Sequence, residues 1–151
     1  MEDPMGLLSR LTAKVTPQRK ASDDALLMHG MMLMCGADGN FEQAEMETVE
    51  AYFAQLPEFK NKEFGEVYDD AVKVLRRYPS LKDSVKALGE LSTPALKKKA
   101  YVLAADIAMA SGDVEEDEDA MLEAMQRILE IDDRFAQSVL EVLAVKYQPA
   151  T

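Results

Sequence analysis

The sequence predicts an all-α domain, and three observations carry that reading. Apolar residues recur at spacings of three and four along almost the whole chain, no convincing run of alternating β-branched residues marks a strand, and glycine, proline and capping residues interrupt the apolar stripes. The 151 residues suit one domain, and a hydrophobic fraction of 48% supplies one sizeable core without help from disulfides or a structural metal. A single cysteine excludes an internal disulfide framework.

The elements follow in order. A first helix is expected over Met5–Val15, with Leu7, Leu8, Leu11 and Val15 on one face. Thr16-Pro17 and the basic Gln18-Arg19-Lys20 stretch set it apart, so residues 1–20 read as an amphipathic arm and 21–151 as the domain. Ser22 or Asp23 caps a second helix that carries Leu26, Leu27, Met31, Leu33 and Met34 and stops at Asp38-Gly39-Asn40. A third runs from Glu42 to about Ala54 with Met46, Val49 and Phe53 inward. A fourth starts after Asn61 and presents Phe64, Val67, Tyr68, Ala71, Val72 and Leu75.

Pro79 closes the fourth helix, and Ser80 with Asp83 has capping-box spacing for a short fifth one holding Leu81, Val85 and Leu88. Thr93-Pro94 starts a sixth, proline standing where its missing N–H does no harm, and Ser111-Gly112-Asp113 ends it. A seventh opens on Glu115-Glu116-Asp117-Glu118, whose charge suits a helix N-terminus, and holds Met121, Met125, Ile128 and Leu129. Asp132-Asp133 caps a last helix bearing Phe135, Val139, Val142 and Leu143 to about Tyr147.

Charge narrows the functional classes. With 28 acidic against 17 basic residues the net charge is -11 and the pI about 4.5, which disfavours nucleic acid and anionic membranes and favours cationic partners. No apolar run approaches the roughly 18–20 residues of a membrane span, and Met1–Lys20 lacks the layout of a signal peptide, so a soluble cytoplasmic protein is expected.

Two segments match at an offset of 73 residues: Ala37-Asp38-Gly39-Asn40-Phe41-Glu42-Gln43-Ala44-Glu45 and Ala110-Ser111-Gly112-Asp113-Val114-Glu115-Glu116-Asp117-Glu118. Each joins an apolar helix to an acidic helix start through a glycine turn, which points to a duplicated helical hairpin. Such a duplication would bury Phe41 and Val114 beside each other's hairpins and gather carboxylates at one rim. Crowded carboxylates repel unless a hard cation sits among them. Asp38, Glu42 and Glu45 form one half of a candidate divalent-cation site, and Asp106, Asp113 and Glu118 the other. Asp106 belongs to this set because a charge among Ala105, Ile107 and Ala108 needs a partner. The bland reading is that these acids only cap helices and solvate the surface. An EF-hand is excluded: its early ligand positions would fall on Met34 and Gly36, and on Ile107 and Met109, which offer no side-chain oxygen.

These paired segments resemble the signatures of the tellurite resistance TerB and TerB-like helical family, and the likeness extends over about Asp24–Tyr147. The resemblance implies a single compact bundle of about seven core helices with pseudo-repeated hairpins, found in bacterial cytoplasm or peripheral to the inner membrane through partners. It also implies a role in resistance to tellurite and other chemical stress, other stress-resistance components as protein partners, and an acidic metal-binding surface without an established reaction. The first copy keeps the family's Asp38-Gly39 pair and Glu45. The second has Ser111 before Gly112, which favours one shared site or a degenerate half over two equal sites.

Other chemistry is poorly supported. His29 and Cys35 lie six residues apart on a helix, about 120° apart in angle, so they do not face one ion. His29 reads as a satisfied core histidine, Cys35 as a buried apolar thiol, and the ten methionines as packing. Lys97-Lys98-Lys99 reads as a solvated face. No phosphate-binding glycine loop, His-Glu-His signature or Ser or Cys triad is present, so no enzyme is expected. The leading expectation is a non-enzymatic stress-response module that binds calcium, magnesium, zinc or manganese through its acidic rim. The alternative is a metal-independent protein-protein interaction scaffold.

Overall fold

The structure, a computed structural model, describes residues 21–150; the arm assigned to residues 1–20 lies outside them. Six α-helices follow: α1 (Asp23–Cys35), α2 (Gln43–Gln55), α3 (Phe64–Leu75), α4 (Pro94–Met109), α5 (Glu116–Ile128) and α6 (Asp133–Lys146). Two 3-10 segments, Pro57–Phe59 and Asp83–Glu90, lie between them, and no strand occurs among the described residues. The all-α expectation holds.

Local chemistry sets the boundaries. Ser22, Thr93 and Asp132 accept hydrogen bonds from Ala25, Leu96 and Phe135 N–H groups at 3.1, 3.1 and 2.7 Å, each satisfying a donor that has no partner within its helix. The expected short helix at Leu81–Leu88 is instead 3-10. Ser80 Oγ does accept from Asp83 N–H at 3.1 Å, so the anticipated start signal is real although the winding differs.

α1 is the centre. Its ten successive residues from Ala25 to Met34 are all buried, because neighbours cover every side: α2, α3, α4, α5 and the 83–90 segment all pack on it. Met28, Met31, Met32, Met34, Met121 and Met125 are core residues, as their spacing predicts. α3 turns Val67, Ala71 and Val74 inward, so Val74 takes the fully buried place expected for Leu75. α4 is the second organiser: α5 and α6 pack on it more than on each other.

His29 is 1% exposed, and its Nε2–H donates to the Ser84 carbonyl at 2.9 Å. Burial foremost, together with nearby Arg77, holds its pKa below the ordinary value, while the Ser84 bond and Glu90 oppose the shift. The imidazole is a neutral core group. Among the described residues no helix is long and apolar enough to cross a membrane.

Candidate functional site: two glycine turns and an acidic cleft

The two matching segments fold alike. Gly39 N–H donates to Gly36 O at 2.9 Å and Gly112 N–H to Met109 O at 3.0 Å, equivalent bonds at the same offset, and the two glycines have φ of 93° and 90°. That left-handed backbone is where glycine is needed. Each turn leads into a capping box. Glu45 Oε2 accepts from Glu42 N–H at 3.1 Å, and Glu118 Oε1 accepts from Glu115 N–H at 3.0 Å.

The turns face each other across a cleft of about 220 Å³, lined by Asp38, Glu45, Ser111, Glu115 and Glu118 over a floor that includes Met34 and Cys35. Three of the six expected ligands, Asp38, Glu45 and Glu118, therefore share one space. Partial burial raises the Glu118 pKa above the carboxylate norm; the charges of Glu115 and Asp38 add to this, and the bond from Glu115 N–H opposes it. Glu118 thus feels acids from both hairpins. Cys35, half-buried beside Glu45 and Glu118, has its thiol pushed up to about 12, chiefly by burial, which denies it a reactive thiolate at neutral pH.

The remaining expected ligands stand elsewhere. Glu42 and Asp113 are exposed and do not line the cleft; the first belongs to its capping box, and the main-chain carbonyl of the second accepts from Ser111 Oγ at 2.9 Å. Asp106 already has its partners. Its carboxylate accepts from Lys146 Nζ at 2.9 Å and from the Tyr147 hydroxyl, and the Tyr52 hydroxyl joins the same group. This network ties α4 to the end of α6 and to α2.

Three further expectations are corrected by packing. Val114 is 41% exposed, because its turn projects outward, whereas Phe41 is half-buried against the core. The lysine run is not a simple solvated face: Lys97 pairs with Glu130 at 3.5 Å, Lys98 lies over the Phe135 ring at 5.0 Å, and Lys99 pairs with Glu58 at 2.6 Å. Cys35 lines the cleft and is less enclosed than a core thiol would be.

Glu115 is the cleft acid missing from the expected ligand set. The repeat carried the signal, since Glu115 occupies the place of Glu42, but equivalent positions do not line the cleft equally. Among the described residues no three His, Cys, Asp or Glu side chains form a group placed to hold a metal ion. The donor chemistry is nevertheless that of a hard cation. Asp38, Glu45, Glu115 and Glu118 offer only oxygen, and one oxygen each of Glu45 and Glu118 already caps a helix, with Glu115 engaged in the second capping box as Glu42 is in the first.

The sequence pattern of the family described as tellurite resistance protein TerB matches residues 24–140. The chain belongs to the TerB family. The match begins within the first turn of α1 and ends in α6, so it spans both glycine turns and every TerB helix up to the middle of the last. No curated protein and no solved structure gave a significant match.

Proposed function

We propose that this TerB-family chain is a non-enzymatic cytoplasmic module of resistance to tellurite or other chemical stress, and that a divalent cation occupies the cleft between its glycine turns. The observation that carries this reading is the position of Glu118, half-buried between the charges of Asp38 and Glu115. A bound cation would offset that repulsion, with Asp38, Glu45, Glu115 and Glu118 supplying the oxygens. The Asx turn formed by Asp38 Oδ1 and Asn40 N–H, at 2.9 Å, leaves the other Asp38 oxygen available.

Calorimetric titration of metal-free protein with calcium, magnesium, zinc and manganese tests the proposal. The expected result is saturable binding of fixed stoichiometry, weakened tenfold or more by Asp38→Asn or Glu118→Gln, a loss of about 1.4 kcal/mol. Binding should also weaken as pH falls, because Glu118 holds its proton unusually well and must release it to a metal. Only weak, salt-screened heats would reject the cation.

The second reading is a metal-independent scaffold whose acidic face steers a basic protein partner, such as another stress-resistance component. The lack of a ready-made metal group among the described residues favours it. Capture of one defined partner, unaffected by chelator and weakened by Glu115→Gln with Glu118→Gln, would support the scaffold.

A further inference from the structure

A trough runs along α6, bounded by the end of α4, the Gly112 turn and Gln126 of α5. One part, of about 570 Å³, is lined by Gln126, Asp133, Ala136, Leu140, Glu141 and Ala144. A second part, of about 430 Å³, reaches Gly112, Val114 and Val145, and both parts share Met109 and Ala144. The floor is mainly apolar, and one rim carries the acids Asp133 and Glu141. Val114 and Val145, 41% and 71% exposed, are two of the three large apolar side chains most open to water among the described residues.

We propose that residues 5–15 of the same chain dock in this trough as an amphipathic helix. The chemistry matches on both faces: Leu7, Leu8, Leu11 and Val15 suit the apolar floor, and Arg10 and Lys14, one helical turn apart, suit the acidic rim. The arm carries four basic residues against two acidic, opposite in sign to the chain's net charge of -11.

Connection and length agree. Ala21 N–H donates to Glu90 Oε1 at 3.4 Å, and a Cβ placed on neighbouring Gly89 would lie 3.7 Å from Ile128. The arm therefore joins the domain beside the C-terminal end of α5. There Gln126 Nε2 donates to Asp133 Oδ1 at 2.8 Å and to Ile131 O at 3.1 Å, closing one end of the trough. Residues 16–20 span up to about 17 Å from this side of the domain. Eleven helical residues extend about 16 Å, within the roughly 21 Å of α6 beside them. Val15 then lies towards Asp133 and Met5 towards Val114, antiparallel to α6. A tether this short gives the arm an effective concentration in the millimolar range, which disfavours a second copy as the occupant.

The chain contains no tryptophan, so Leu11→Trp installs a single reporter. Docking predicts blue-shifted emission that is independent of protein concentration. Adding Ala144→Glu, at an exposed position, should shift the emission to that of hydrated indole with the helical circular dichroism unchanged. In the chain without the reporter, Ala144→Glu should speed tryptic cleavage after Arg10 and Lys14 about tenfold while leaving cleavage after Lys20 unaltered. Hydrated emission at the outset, or blue emission and slow cleavage retained in the Ala144→Glu protein, would overturn the proposal. A blue shift lost on dilution would also overturn it, assigning the trough to a second copy.

Discussion

At the end of α4, Asp106 accepts from both Lys146 and Tyr147, and its carboxylate is mostly covered. Asp106→Ala removes the acceptor these groups share and should cost about 1–3 kcal/mol of stability, measured by urea denaturation. The same substitution should leave divalent-cation titrations unchanged, since Asp106 does not line the acidic cleft. His29 makes a separate prediction through pH. The buried imidazole has a folded pKa below the ordinary 6.5, so the unfolded chain takes up the proton more readily. Its contribution to stability is complete above about pH 6.5 and is lost as pH falls below that value. Urea midpoints should drop between about pH 7.5 and 5.5, and His29→Gln should flatten that part of the profile.

The glycine turns and helix ends make their own tests. A Cβ at Gly39 or Gly112 would meet no atom within 4 Å, so the cost of either Gly→Ala change comes from the left-handed backbone alone. Each should lower stability by about 1–2 kcal/mol, by a similar amount at the two sites. Glu130 is the converse case, with φ of 57° after α5; Glu130→Gly should raise the thermal midpoint, because the ion pair it loses to Lys97 is exposed at the Glu130 side. Helix starts at Ser22, Thr93 and Asp132 were legible in the sequence because a cap is a local interaction of residues three apart. The 3-10 winding of Asp83–Glu90 was not, since the four-and-three spacing of Leu81, Val85 and Leu88 fits a period of 3.6 better than one of 3.0 and so points to an α-helix.

Across the whole molecule the charge of -11 works against compactness. Raising sodium chloride from about 0.1 to 1 M shortens the screening length from about 10 to 3 Å, and the thermal midpoint should rise. A specific cation in the cleft would raise that midpoint at millimolar concentrations where sodium does nothing comparable. Family membership and three of the four acids that line the cleft, Asp38, Glu45 and Glu118, could be read from the chain because the repeat places equivalent turns at a fixed offset. The destination of Asp106 could not, as its partners lie 40 and 41 residues away and meet it only when α6 settles on α4. The turn at Gly112 is a partition with two faces: Ser111 and Glu115 line the acidic cleft, whereas Gly112 and Val114 line the trough. Occupants of the two sides would then share one wall, and any thermodynamic coupling through it must be reciprocal. A cation that stiffens this wall in favour of the docked arm would itself be held more tightly by the arm, by the same factor.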